Sequence, residues 1–417
     1  MSDWQQISLG GLESPVRRKV VAVPPQGSRA SASDGYPLRA LGEVMRLDIQ
    51  RTPMKPATTY RLAGVLNAGK GVVAKGELDG GDTEYAAMNV LRADQVVMRK
   101  LTAWEGPITV VPAEFDGFVV SNEFPTFTLG PEVMPDWMRH VCGSPRLWAE
   151  MKNRVSGTVQ RRKRLNPEQL LQIQLPIPPR EVQTRIVEVL DAVDDQINAL
   201  RREAEALARI HDATRESLLK DAPLTPLSDV CELTARLVDP RLEEYADLTH
   251  VGVETIAKGT GEIVGARTAR EDKIISGKFL FCEGDVIYSK IRPALRKVAV
   301  PGFSGLCSAD AYPLRPKGDI PASLLREVLL QERVVESAVS MAGRTKMPKV
   351  NRKQLFSIQV AMPCPDSIAS VDAALSALRG HREAVVAEAA RLREVRVGLL
   401  AGLLDRAIDI VSAELGV

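Results

Sequence analysis

The feature that most constrains this chain is an internal repeat with a period of about 185 residues. Residues 37–44 (PLRALGEV) resemble residues 223–230 (PLTPLSDV), and residues 166–179 (NPEQLLQIQLPIPP) resemble residues 351–364 (NRKQLFSIQVAMPC). Because the matches stand at both ends of the period, chance is a poor explanation. A chain of 417 residues with this repeat predicts two similar domains, each with its own core.

A long helical pattern follows the second match in each repeat. Apolar residues recur at steps of three and four from Val182 to Leu218 and from Ile368 to Leu403, which places them on one face of each helix. Neither Pro nor Gly interrupts residues 180–220, so the first helix has room for about 41 residues, or roughly 60 Å. Each apolar seam is narrow and the opposite face is charged, so each helix needs a partner helix. We expect the two helices to pack on each other as an antiparallel pair.

The segments outside these helices are rich in β-strand signals. Short runs such as residues 95–98 (QVVM) and 285–288 (DVIY) are bounded by Gly and Pro, which predicts short strands and turns. One shorter helix is expected within 132–155 and another within 321–340. The predicted fold class is therefore α/β (α+β). The predicted organisation is a flexible N-terminal lead-in at 1–35, a first domain at 36–179, a first helix at 180–221, a second domain at 222–365, a second helix at 366–408 and a C-terminal tail at 409–417.

Composition excludes several classes of protein. With 45% hydrophobic residues the chain is not a disordered polymer, and a net charge of +2 excludes a histone-like polycation. No apolar run approaches the roughly 20 residues needed to span a bilayer, and the N-terminus lacks a signal-peptide pattern, so we expect no membrane association. The five cysteines form no CxxC pair, which favours a cytoplasmic protein with free thiols. The four histidines are scattered, and no metal site is predicted.

No catalytic motif stands out in the sequence. Residues 64–71 (GVLNAGKG) approach a phosphate-binding P-loop, but Gly71 stands where Ser or Thr must ligate magnesium, so a turn between strands is expected. Residues 166–169 (NPEQ) lack the second proline and the aromatic residue expected in an adenine methyltransferase. We therefore assign no catalytic residue and no cofactor to this chain.

Three short basic clusters contain no acidic residue, at residues 152–164, 290–297 and 344–353. The first and third occupy equivalent positions in the two repeats. A solvated surface is the alternative for any one cluster, but the repetition favours contacts to phosphate groups.

The order domain–helix–domain–helix resembles the DNA-specificity subunit of type I restriction-modification systems over about residues 36–406. Residues 175–187 (LPIPPREVQTRIV) are similar to the start of the family's conserved helical region, and residues 284–293 (GDVIYSKIRP) resemble a strand of its target-recognition domains. The first repeat departs from this pattern, with residues 93–100 (ADQVVMRK) in place of the second motif. The second helix lacks a counterpart of Gln183, and residues 1–35 have no repeat partner.

The resemblance implies two target-recognition domains in tandem repeat, joined by two long antiparallel conserved helices. It implies a non-catalytic subunit that reads a bipartite, asymmetric site in double-stranded DNA, one half per domain, while the helices set the spacer. With this role, the predicted DNA contacts are Lys100, Arg161, Arg162, Lys163, Arg164, Lys290, Arg292, Arg344, Lys346 and Lys349. It also implies partners: methyltransferase subunits that bind S-adenosylmethionine, and a motor/nuclease subunit for restriction. The residues that mark the partner-binding helices are Ile186, Leu190, Val193, Leu200 and Leu207 on the first, and Val371, Leu375, Leu378, Val385 and Leu392 on the second.

Three other interpretations remain open at this point. The chain fits a specificity subunit of a related defence system with different partner enzymes. It also fits a structural adaptor that does not read DNA, which a binding assay with random duplex across a salt series would reveal. An enzyme with an unrecognised active site would methylate DNA without partner subunits.

Overall fold

The computed structural model describes residues 35–155, 163–343 and 346–410. These residues fold into two compact units. The first comprises the chain up to Glu188 together with Val397 onward, and the second comprises Val189–Arg396. Each unit contains the β-rich part of one sequence repeat.

The first unit is formed by short elements in the following order. They are β1 (Leu38–Ala40), α1 (Leu41–Val44), β2 (Met45–Leu47), β3 (Gln50–Pro53), β4 (Thr59–Val65), β5 (Val72–Asp79), β6 (Ala87–Val90), β7 (Val96–Met98), β8 (Ile108–Val110), β9 (Val119–Val120), β10 (Thr126–Leu129), α2 (Pro135–Cys142), α3 (Pro145–Arg154), α4 (Pro167–Leu171), β11 (Gln174–Pro176) and the first residues of α5 (Arg180–Leu219). The strands form a four-stranded sheet ordered β2-β10-β7-β8, a five-stranded sheet ordered β3-β6-β9-β4-β5 and a β1-β11 pair. Alternating apolar residues such as Val97, Val111 and Val120 fill a core of this unit.

The second unit repeats this topology. Its elements after α5 are β12 (Leu224–Pro226), α6 (Leu227–Val230), β13 (Cys231–Leu233), β14 (Arg236–Val238), α7 (Glu243–Ala246), β15 (Thr249–Val251), β16 (Arg267–Thr268), β17 (Lys278–Phe281), β18 (Val286–Ser289), β19 (Val298–Ala299), β20 (Gly305–Cys307), β21 (Ala311–Pro316), α8 (Ala322–Leu329), α9 (Glu332–Met341), α10 (Arg352–Phe356), β22 (Gln359–Ala361) and the greater part of α11 (Pro365–Leu404), whose last residues belong to the first unit. Its sheets are ordered β13-β21-β18-β19, β14-β17-β20-β15-β16 and β12-β22. The sequence repeat is therefore a repeat of topology, which confirms the predicted fold class.

Two helices occupy each stretch where the sequence predicted one short helix. In the first unit α2 ends at Cys142 and α3 begins at Pro145, because the Ser144 side chain accepts the Arg146 N–H and proline is suited to the first helical turn. In the second unit α8 and α9 are separated at Leu330 and Gln331. The prediction of a single helix was wrong at both places.

Residues 64–71 form the turn that was predicted in preference to a P-loop. They lie where β4 joins β5, and Ala68, Gly69 and Gly71 all adopt positive φ. A Cβ on Gly69 would approach the Cys142 carbonyl oxygen to 2.6 Å, so the turn needs glycine there.

The two long helices each contain 40 residues, Arg180–Leu219 and Pro365–Leu404. The second helix ends four residues before its predicted end at residue 408. After Leu404, the backbone of Arg406 has positive φ and the Ile408 N–H donates to the Gly402 carbonyl, and these two features turn the chain away from the helix axis. Among the residues described, no helix is both long enough and apolar enough to cross a membrane.

Within the second unit the long helices pack against each other in opposite directions. Leu200 and Ala204 of α5 share an apolar cluster with Val385 and Ala389 of α11. Two polar pairs lie beside this cluster: Asp194 forms an ion pair with Arg396, and further along α5, Glu203 Oε1 lies 3.8 Å from His381 Nε2. A later residue of α5 thus meets an earlier residue of α11, as in an antiparallel pair.

Candidate nucleic-acid interface

Two of the basic clusters lie side by side in the second unit. The segment after β18 carries Lys290 and Arg292, and it pairs with the segment that carries Lys346 and Lys349 through an antiparallel bridge between Ile291 and Lys349. The Val350 N–H donates to the Lys290 carbonyl at 3.0 Å, and the Arg292 N–H donates to the Pro348 carbonyl at 2.8 Å. The structure therefore brings four predicted DNA contacts, far apart in sequence, to one surface.

An acidic side chain lies among these cations. The Lys349 ammonium donates to Asp310 Oδ1 at 2.9 Å, and the Lys290 ammonium lies 3.7 Å from the same oxygen. Lys290 also donates to the Ala309 carbonyl at 2.6 Å and lies 5.4 Å from the centre of the Tyr312 ring. These contacts fix the position of Lys290 before any ligand binds, which lowers the conformational entropy that binding has to overcome.

The turn that carries Arg292 has a strained backbone. Arg292 and Arg296 have φ of 49° and 51°, on either side of a 3₁₀ turn at Pro293–Leu295. The left-handed region is uncommon for a residue with a Cβ, and such strain persists only where neighbouring contacts hold it. One such contact comes from the Gly259 N–H, which lies 3.3 Å from the carbonyl oxygens of both Leu295 and Arg296.

The first unit contains the same arrangement at the equivalent place. Leu101 forms an antiparallel bridge with Arg164, the Leu165 N–H donates to the Lys100 carbonyl, and the Thr102 N–H donates to the Lys163 carbonyl. Thr102 and Gly106 have positive φ on either side of the 3₁₀ turn at Ala103–Glu105. Lys100 thus occupies the position of Lys290.

An acidic residue accompanies the cations in this unit too. Glu123 accepts from Arg164 at 3.0 Å, and its carbonyl accepts the Lys100 N–H at 2.9 Å, just as the Asp310 carbonyl accepts the Lys290 N–H. Glu123 and Asp310 were not predicted from the sequence. The separation between equivalent residues changes along the repeat, from 190 between Lys100 and Lys290 to 187 between these acids, so a comparison at a fixed period does not align them.

Three of the predicted contacts lie outside the described residues: Arg161, Arg162 and Arg344. The other seven fall into the two groups above, three in the first unit and four in the second. In the second group, Arg292, Lys346 and Lys349 are exposed, and Lys290 is half-buried.

Two residues of the motifs that carry the family resemblance have structural roles. Asp285 is fully buried and accepts hydrogen bonds from the Cys282 N–H, the Thr234 hydroxyl and the Arg315 guanidinium. Gln183 is also fully buried. Its side chain accepts the Met134 N–H at 2.9 Å and donates to the carbonyls of Glu132 and Pro178, which ties the first turn of α5 to the first unit.

Most of the predicted seam residues of the long helices are buried within this chain. Leu200, Leu207, Val385 and Leu392 belong to the cluster between α5 and α11. Val371 and Leu375 join the main core of the second unit, Ile186 and Leu190 are fully buried, and Val193 and Leu378 are half-buried. A second protein that binds these helices would therefore contact their other faces.

The comparison with known proteins bears on this geometry. Residues 149–208 match the family described as type I restriction modification DNA specificity domain. This segment is therefore similar to the specificity domain of that family. The match includes the segment that carries Lys163 and Arg164 together with the first 29 residues of α5, and it confirms the resemblance that the sequence indicated.

A protein of known type I restriction enzymes is similar to part of this chain. The chain is 28% identical over 232 residues to the specificity subunit of the EcoDI type I restriction enzyme of Escherichia coli. That match covers 46% of this chain and 51% of the relative, so it spans about half of the relative's length.

Two solved structures have a similar fold. One comes from a study of complex assembly and conformational transition in a type I restriction-modification system, with a TM-score of 0.58, 18% identity, and 90% of this chain and 99% of the other covered. The other is the S subunit of a type I restriction-modification system from M. genitalium, with a TM-score of 0.50, 13% identity, and 90% and 98% covered. At these identities the likeness concerns the fold.

Proposed function

We propose that this chain is the DNA-specificity subunit of a type I restriction-modification complex. The observation that carries the proposal is the duplicated interface: each unit has a 3₁₀ turn with positive φ on both sides, next to a paired segment that carries lysine or arginine. Cations on a preformed surface bind DNA phosphates and release the counterions that surround the duplex. The specificity domain at residues 149–208 supports the same function.

Each unit reads one half of a bipartite site. Side chains at equivalent positions differ, since Thr102, Gly106 and Arg164 of the first unit correspond to Arg292, Arg296 and Lys349 of the second. Different side chains on the same backbone present different hydrogen-bond donors to base edges, so the two halves differ in sequence. The recognised site is therefore asymmetric.

The antiparallel helices set the distance between the halves. A helix of 40 residues is about 60 Å long, which exceeds the ~34 Å of one DNA turn that separates half-sites on the same face.

The chain itself performs no catalysis. Methyltransferase subunits bind S-adenosylmethionine and flip the target base, and a motor/nuclease subunit joins for restriction in the cytoplasm.

The salt dependence of DNA binding tests this proposal. The full chain is purified with its methyltransferase partners, and its affinity for random duplex is measured across a salt series. The double variant Lys290→Ala/Arg292→Ala is expected to reduce the slope of log affinity against log salt by about 1 for each phosphate that the variant no longer neutralises. The control is Lys220→Ala, since Lys220 is an exposed lysine just after α5. An unchanged slope in the double variant would remove these residues from the interface, and no DNA binding by the wild-type complex would favour an adaptor.

A further inference from the structure

Glu332 connects the candidate DNA-contacting turn to a long helix. Its carboxylate accepts a hydrogen bond from Arg296, the residue of positive φ that ends the turn. Its backbone N–H, at the start of α9, donates to Glu216 Oε1 at 3.1 Å. Since Glu216 lies in the last turn of α5, one residue joins the turn to the helix.

A buried carboxylate makes a second connection. Glu327 of α8 is 1% exposed and lies 3.0 Å from the Arg379 guanidinium of α11 and 3.5 Å from that of Arg215 of α5. It also pairs with its neighbour Arg326. Removing one partner of such a buried network leaves uncompensated charge, so the network holds α8 firmly on both long helices.

Arg326 extends this network to the turn. Its Nη2 donates to the Thr260 carbonyl at 2.7 Å and lies 3.4 Å from the Gly259 carbonyl. The Gly259 N–H in turn bonds to the turn itself, at the Leu295 and Arg296 carbonyls. The strained turn is therefore held on the long helices by two routes, one through Glu332 and one through Glu327.

The first unit connects its equivalent turn to the end of a long helix with different side chains. The Trp148 ring of α3 packs against Gly106 so closely that a Cβ there would lie 2.6 Å from the ring. Arg146, in the first turn of α3, pairs with Asp405, the residue after α11. Both units thus contain such a connection, made by different side chains in each unit.

We propose that Glu332 and Glu327 are positioning residues that fix the orientation of residues 292–296 on the long helices. The inference rests on the proposed function of this surface in DNA recognition. Arg292 reads DNA correctly only if its backbone keeps the left-handed conformation, and that conformation needs contacts from outside the turn. The helices thereby set the spacer and hold the reading turn of the second unit in place.

The test compares variants at two glutamates of the same helix. Glu332→Ala removes the contact to Arg296, Glu332→Gln keeps an acceptor without the charge, and Glu336→Ala alters an exposed glutamate one turn further along α9. Each full chain, with its methyltransferase partners, selects from a pool of random duplexes. Affinity is then compared between the site selected by the wild type and duplexes with either half scrambled.

Discrimination is the ratio of the affinity for the selected site to the affinity for the duplex with one half scrambled. We expect Glu332→Ala to lower this ratio about tenfold for the second half, which is the reduction typical of one mismatched base pair, and to leave the ratio for the first half unchanged. Glu332→Gln should lie between Glu332→Ala and the wild type, and Glu336→Ala should match the wild type. The salt slope and the unfolding midpoint should change little in Glu332→Ala, because Glu332 does not itself contact DNA and is half exposed. Glu327→Gln should act in the same direction as Glu332→Ala.

Two results would overturn the inference: full discrimination in Glu332→Ala, or an equal reduction for both halves. If the wild-type complex selects no sequence, the proposed function fails as well. If the wild-type complex selects a sequence and Glu332→Ala discriminates as well as the wild type does, only the positioning role is contradicted.

Discussion

Asp194 and Arg396 form a two-bond ion pair between the long helices α5 and α11. Nε of Arg396 lies 2.5 Å from Oδ1 of Asp194, and Nη2 lies 2.9 Å from Oδ2. The side chains are 31% and 17% exposed, so water screens the pair only partly. Because the planar guanidinium binds both carboxylate oxygens, the pair fixes the register of the two helices in addition to holding them together.

A double-mutant cycle should measure this contribution. With Asp194→Ala, Arg396→Ala and the double variant, we expect a coupling of about 1 kcal/mol, the upper end of values for partly exposed pairs. The pair Glu203 and His381, at 3.8 Å and 44% and 59% exposed, is the control and should show almost no coupling. Chemical denaturation gives the free energies of unfolding. Equal coupling in both cycles would contradict a special role for Asp194 and Arg396.

Gln183 should contribute strongly to the stability of the first unit. Gln183→Leu fills a similar volume but leaves the Met134 N–H and the Glu132 and Pro178 carbonyls without this partner. Because a buried polar group without a partner costs about 1–3 kcal/mol, we expect a decrease of about 3 kcal/mol in the free energy of unfolding. Gln172→Leu, at an exposed position, should cost far less. A similar effect of both variants would mean that the Gln183 contacts do not matter.

The five cysteines should separate into two groups by reactivity. Burial raises the pKa of the Cys142, Cys231 and Cys307 thiols to about 12, so almost no thiolate is present at neutral pH. Cys282 and Cys364 are exposed. A thiol reagent at pH 8 should therefore label two sites rapidly, and the other three only after unfolding. Mass spectrometry identifies the labelled residues, and rapid labelling of Cys142 would contradict the burial described for it.

The sequence predicted those parts of the fold that depend on local pattern. The three- and four-residue steps predicted the long helices within a few residues, and the matched segments predicted the duplication. The break between α2 and α3 was missed because its cause is one serine cap before one proline, a weaker signal than apolar periodicity.

The candidate site was predicted only in part, because its key contacts join distant segments. Sequence reasoning named Lys290 and Lys349, but only the backbone pairing of Ile291 with Lys349 shows that they share a surface. Asp310 became visible as part of that surface through its contacts with both lysines. The left-handed backbone at Arg292 and Arg296 could not be predicted from the sequence, because glycine and asparagine, and not arginine, usually indicate that conformation.

The central claim is that each unit reads one half of a divided DNA site. It is tested most directly by selecting random duplexes with the full chain and the methyltransferase subunits that we propose as its partners, and sequencing those that are bound. The proposal predicts two short motifs of different sequence separated by a spacer of fixed length, with the second motif alone absent in Lys290→Ala/Arg292→Ala. No enriched sequence, or a single uninterrupted motif, would contradict it.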